Sequence, residues 1–184
     1  MTPPPIRSTF VTVLAWIYIV LSGFCAVIGL LQNVMIATLF RGPEFQQGMP
    51  KIPPGMPGGM AFMVEHIQLF FLLAFLACVI MLVLSIGLLR RWNWARLGFI
   101  AMMVLAMVWN VAGIVLQIYM FREMRADFAA KAAQGMPDMD GFFVAMGIFS
   151  GLFALAFVLL HGWIAWRLRS PAIAAEFAAS RRTA

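Results

Sequence analysis

Four long apolar runs, separated by short polar stretches, leave this chain very few folds to choose from. They extend from about Phe10 to Leu31, Ile67 to Leu89, Leu97 to Phe121 and Phe142 to Trp166. Each supplies the roughly 20 residues that a helix needs to cross the hydrocarbon core of a bilayer. Inside lipid no water is available to backbone N–H and C=O groups, so a single span must satisfy them within its own helix. A soluble alternative fails on composition. The chain is 64% hydrophobic and 11% charged, where soluble domains carry about 25% charged residues. The expected fold class is an all-α integral membrane protein, a four-transmembrane-helix bundle. It forms a single membrane domain over residues 1–184, with two tandem helical hairpins as a candidate arrangement.

The connections follow from the spans. Outer loops are expected near 41–64 and 122–141, a tight turn at 90–96 and a tail at 167–184. Helix-compatible sequence continues to about Phe40 beyond the first run and through Arg122 to Gln134 beyond the third, which predicts two protruding helices. Gln32 and Asn33 follow the first run where a secretory signal would place small residues for cleavage, so that run reads as an uncleaved span.

Charge gives an orientation. Arg7, Arg90, Arg91, Arg96, Arg167, Arg169, Arg181 and Arg182 fall on one side, eight cations in all. Arg41, Lys51, Arg122, Arg125 and Lys131 make five on the other, together with six of the seven acids. Only Glu176 is an acid on the basic side. The excess of Lys and Arg marks the cytoplasmic face, which predicts both termini inside. Trp92, Trp94, Trp163 and Trp166 sit at the same boundary, where indole rings favour the interface. The net charge of +6 is thus accounted for by topology, and no nucleic-acid partner is implied.

A weak internal repeat supports the hairpin arrangement. Gln32 to Pro50 (QNVMIATLFRGPEFQQGMP) has a counterpart in Gln117 to Pro137 (QIYMFREMRADFAAKAAQGMP). Tandem hairpins of this kind would be related by an axis along the membrane normal.

Five groups of residues could carry function. The intramembrane polar set is Gln32, Asn33, Asn110 and Gln117, which either bond between helices or line a polar cavity opening outward. At the outer mouth of the second span stand Glu65, His66 and Gln68, which could bind a cation or relay a proton, or simply mark the water boundary. His161 near the end of the fourth span pairs with interfacial groups or faces another helix. Gly147, Ser150, Gly151 and Ala154 form a small-residue packing stripe with one GxxxG step, for contact within one chain or between two. Methionine is abundant in the outer segments. Met56, Met60 and Met63 beside His66 are a candidate copper site, since thioether and imidazole suit Cu(I), although Met also serves as plain packing. No other cofactor is implied.

The tail has its own pattern, with Ile173 and Phe177 four residues apart and basic residues at both ends. It reads as a short helix on anionic lipid or as a solvated terminus. Cys25 and Cys78 both lie within apolar runs, far apart in sequence, and read as small packing residues with no disulfide indicated.

The turn GLLRRWNWARLGF, Gly87 to Phe99, resembles that of small, uncharacterised bacterial four-span inner-membrane proteins. The resemblance covers this turn and the span layout, and it implies a bacterial cytoplasmic membrane with no activity attached. Claudin-like proteins share the layout but have a loop cysteine pair and a Trp-Gly-Leu-Trp signature that are absent here. Four-span thiol oxidoreductases use paired loop cysteines, also absent.

The reading that results is a non-enzymatic membrane protein acting through association, as an accessory subunit or a self-assembling unit, in contact with membrane lipids. Its partners would be further copies of itself or a larger membrane complex. A small-solute or ion pathway is the alternative, and an outward-facing Met/His copper-binding protein the third. Glu65, His66 and His161 do not form a catalytic constellation, because the orientation places His161 on the opposite side.

Overall fold

The structure, a computed structural model, describes residues 8–39, 58–132 and 139–179. Among them it is helical apart from short turns and contains no strand. We number the helices α1 (Thr9–Leu39), α2 (Gly58–Glu65), α3 (Ile67–Leu89), α4 (Asn93–Ala132), α5 (Asp140–Leu168) and α6 (Pro171–Ala179). α1, α3, α4 and α5 are long and apolar enough to cross a membrane. The chain is therefore all-α, with the four expected spans. The helices of the first and third spans continue to Leu39 and Ala132. One helix, α2, falls where a loop was expected, and α6 is the short helix that was one of the two readings of the tail.

Between 11% and 22% of each apolar window is buried in the chain. Large side chains such as Phe24, Trp109, Phe149 and Leu152 stand exposed along the long helices. Water would penalise this surface by about 25 cal/mol per Å². Lipid solvates it, so the exposure fits a chain with four membrane-crossing helices.

The chain divides into two compact units. The first holds the described residues of Met1–Lys51, His66–Met103 and Ile164–Ala184, and the second those of Ile52–Glu65 and Val104–Trp163.

In the first unit α1 and α3 pack antiparallel along their length. Asn33 Nδ2 donates to the carbonyl of Phe71 at 3.2 Å. A Cβ on Gly29 would lie 3.3 Å from Phe75, and one on Gly23 would lie 3.9 Å from Leu82. Steps of four and then six residues down α1 are thus met by steps of four and then seven along α3. At one end of the pair lies a buried core, built from Val11, Leu14 and Ala15 of α1, Leu84 and Leu88 of α3, and Phe99 and Met103 of α4. Ile164 and Leu168 of α5 complete it, with Ile173 and Phe177 of α6.

The α3–α4 turn explains how these elements meet. α3 ends with Arg91 N–H donating to the Leu88 carbonyl (3.1 Å) and Trp92 N–H to the Gly87 carbonyl (2.9 Å). This is the paired-bond helix stop that normally places glycine in the left-handed conformation. Here the left-handed residue is Arg91, with φ 60°. Gly87 allows α4 to come close, since a Cβ there would lie 2.5 Å from the Cβ of Ala95.

In the second unit α4 and α5 are joined by side chains. Phe143 is contacted by Phe121 and Phe128 at ring-centroid distances of 5.8 and 5.5 Å. Arg125 Nε donates to Asp140 Oδ1 at 2.7 Å in an exposed ion pair. α2 lies against α4, with a Gly59 Cβ position 3.6 Å from Leu116.

Candidate functional site

Two places gather polar chemistry. The first is a groove in the second unit, between α4 and α5. Its cavity of about 380 Å³ is lined on α4 by Trp109, Asn110, Gly113 and Gln117 and on α5 by Phe149, Ser150 and Ala154. The helical spacing from 110 to 113 to 117 and from 150 to 154 explains why these side chains share one side of each helix. Gln117 Nε2 donates to Ser150 Oγ at 2.8 Å, so the sequence-predicted Gln117 and Ser150 meet in one interhelical bond. Asn110 differs. Its Oδ1 is shielded from solvent yet has no hydrogen-bond partner among the described residues. In hydrocarbon such an acceptor calls for a donor brought by something else.

The small-residue stripe beside it is only partly used. Ala154 is buried and Ser150 half-buried, whereas Gly147 and Gly151 are exposed, and a Cβ at either would meet nothing within 4 Å.

The rest of the polar set lies elsewhere. Asn33 belongs to the first unit, where it also donates to its own helix's Gly29 carbonyl at 2.8 Å, and Gln32 is exposed. Asn33 is therefore helix-joining, spent on backbone. Glu65 ends α2 as an exposed residue, His66 is half-buried in the turn before α3, and Gln68 is exposed on α3. Of the candidate copper ligands, Met56 lies outside the described residues, as does the side chain of Met60, while Met63 is exposed. Among the described residues no group of three or more His, Cys, Asp or Glu could hold a metal ion. His161 is buried, and its Nδ1 pairs with the Phe157 carbonyl at 2.8 Å while its ring stacks on Phe157. It serves its own helix.

The second place was not singled out in the sequence. In the first unit, Arg91 Nε and Glu176 Oε1 form an ion pair at 2.9 Å with side-chain exposures of 6% and 8%. Arg91 Nη2 also donates to the Ser8 carbonyl and to Thr12 Oγ1, each at 3.0 Å. The same Glu176 oxygen accepts the Ser8 N–H at 3.1 Å, placing a carboxylate at the start of α1, where unpaired N–H groups and the helix dipole favour an anion. Phe177 lies against the guanidinium groups of Arg91 and Arg96, at 5.7 and 5.6 Å from its ring centroid. α6 is thus a docked helix: Ile173 and Phe177, read as facing lipid or water, are buried in the chain at 5% and 0% exposure. Their spacing of four was legible, and so was Glu176 as the single acid on the basic side. What the sequence did not give was the partner, because a left-handed, buried arginine leaves no pattern in a list of residues. This node joins the start of α1, the α3–α4 turn and α6, and the contacts it makes hold the fold together.

The fold and these sites define a class, an all-α protein with four helices long and apolar enough to span a membrane. No protein-family model, no curated protein and no solved structure matches the chain.

Proposed function

We propose that the protein is a non-enzymatic membrane unit that acts by association, with a second copy of itself seated on the α4–α5 groove. The observation that carries this is the unpartnered Asn110 Oδ1. Lipid tails offer it no hydrogen. A carboxamide has both a donor and an acceptor, so Asn110, turned into the groove that it lines, is answered reciprocally by Asn110 of a second copy related by a two-fold axis. The open Gly147 and Gly151 face lets a partner backbone approach closely.

A bond of this kind is worth about 0.6 to 2 kcal/mol in a membrane. Asn110→Leu is therefore expected to weaken association about 3- to 30-fold, read by energy transfer between labelled chains in vesicles as lipid dilutes the protein. A protein that stays monomeric at every dilution, or whose dimer is indifferent to Asn110→Leu, overturns the proposal.

The location that goes with it is the bacterial cytoplasmic membrane, multi-pass, with both termini inside. Arg90, Arg167 and Arg169 are exposed in the first unit, and Trp92, Trp94 and Trp166 keep exposed faces there too, in support of that orientation. Protease added to sealed inside-out vesicles should remove a tag placed after Ala184, and protease outside intact spheroplasts should leave it.

A second reading rests on the same cavity. Asn110, Gln117 and Ser150 converge there, so it could instead hold a small polar solute in transit. Liposome flux unaltered by Asn110→Leu together with Gln117→Leu removes that reading.

A further inference from the structure

The two cysteines are 53 positions apart in sequence, yet the packing of the first unit brings them together. On α3, Phe71, Phe75 and Leu82 all touch α1. Cys78 falls on the same face, three residues after Phe75 and four before Leu82, the spacing that keeps a stripe on one side of a helix. On α1, Cys25 stands four residues before Gly29, which abuts Phe75, and two after Gly23, which abuts Leu82. Counted from Gly29 and Phe75 the α3 residue level with Cys25 is Val79, and from Gly23 and Leu82 it is Ile80, so Cys78 lies within half a helical turn of Cys25, near enough for the two thiols to interact. Glycine at 23 and 29 keeps the two backbones close on either side of the pair, as a disulfide's short Cβ separation requires.

The surroundings restrict what can react there. Both residues are near the middle of their helices, so water-soluble thiol reagents and redox proteins do not reach them. Cys25 is exposed on the lipid-facing surface and Cys78 is half-buried. An oxidant dissolved in the membrane has access to the pair.

We propose that Cys25 and Cys78 form a membrane-embedded dithiol site that a lipid-soluble two-electron acceptor of the quinone class closes to an intramolecular disulfide. The two thiols lose two electrons and two protons as the Sγ–Sγ bond forms. The quinone takes up both electrons and both protons and leaves as hydroquinone. The closed state ties α1 to α3 covalently within the first unit. It makes no use of the α4–α5 groove and stands independently of the association proposed above.

The test uses the full chain in phospholipid vesicles, with decyl-ubiquinone as oxidant. After denaturation, free thiols are trapped with a maleimide and counted by mass, and chain number is read on a non-reducing gel. The wild type is expected to go from two free thiols to none while remaining a single chain. Cys25→Ala and Cys78→Ala should each keep one free thiol. Moving the thiol by two residues to the exposed Ile80, with Cys78→Ala and Ile80→Cys together, turns it about 200° around α3, away from the α1 face, and should slow closure at least about tenfold. Retention of both thiols in the wild type overturns the site. So does oxidation that appears only as a link between chains, and equal closure by the shifted pair overturns the register. Copper-phenanthroline and oxygen provide the remaining arm: closure by that reagent but not by the quinone overturns the assigned oxidant.

Discussion

Arg91 shows how one residue holds several decisions at once. A non-glycine residue in the left-handed conformation costs about 1 to 2 kcal/mol, and the structure keeps an arginine there with its guanidinium buried. The offset is the pairing with Glu176 and the bonds to Ser8 and Thr12. Removing one partner of a buried pair leaves the other charge uncompensated, which costs about 3 to 5 kcal/mol. Glu176→Ala is therefore expected to lower unfolding stability in detergent by that amount. Arg91→Ala should be as damaging, whereas Arg91→Gly should be milder by about 1 kcal/mol, because glycine recovers the backbone cost at the turn. Equal losses for the two Arg91 variants would mean that the left-handed turn carries no strain. The sequence made Glu176 visible as an acid among cations. It could not give the pairing, because the register of α6 against the α3–α4 turn is set by tertiary packing.

At the level of elements, the spans were readable because lipid demands long, uniform apolar runs, and α3 begins and ends where its run does. The short helices were less readable. α2 opens on Gly58 and Gly59, and glycine is a weak helix former. α6 begins at Pro171, a residue suited to the first helical position, after Ser170, and its Ser170 carbonyl accepts the Ala174 N–H at 2.9 Å. Two anchors fix it, Ile173 and Phe177. Phe177→Ala should cost about 3 to 5 kcal/mol, while Phe24→Ala, on an exposed face of α1, should stay within about 0.5 kcal/mol. The turn gives a second contrast. Gly87→Ala drives a Cβ to 2.5 Å from the Cβ of Ala95, which has no rotamer to yield, whereas Gly98→Ala meets the terminal methyl of Leu84 at 2.6 Å, which can rotate. The first should destabilise by about 1 to 3 kcal/mol and the second by clearly less, measured as shifts in thermal unfolding. Similar losses at both positions would show that the α3–α4 approach is not the tight point.

For the molecule as a whole, burial is concentrated in a few places, as expected when lipid rather than a protein core solvates most apolar side chains. The buried cluster is all in the first unit, where arginine, glutamate and two aromatic helix ends meet. In the second unit few large side chains are buried, Phe143 being one. The candidate groove lies there, and its residues were legible individually: amides within apolar runs and glycines in GxxxG spacing stand out in any reading. Which amide is satisfied was not legible, since Gln117 and Asn110 look alike until Ser150 is found opposite one of them. The same limit applies to Gly147 and Gly151, whose spacing suits packing without saying against what. In the chain a Cβ at either meets nothing within 4 Å, so bulk added there should leave the monomer intact. Gly147→Ile with Gly151→Ile is expected to leave thermal unfolding in detergent within about 0.5 kcal/mol of wild type. In vesicles the same pair should weaken self-association at least about tenfold, a loss of about 1.4 kcal/mol, because branched side chains hold a partner backbone away from the Asn110 groove. Unchanged association would move the interface off this face, and a destabilised monomer would mean that the chain itself covers the two glycines.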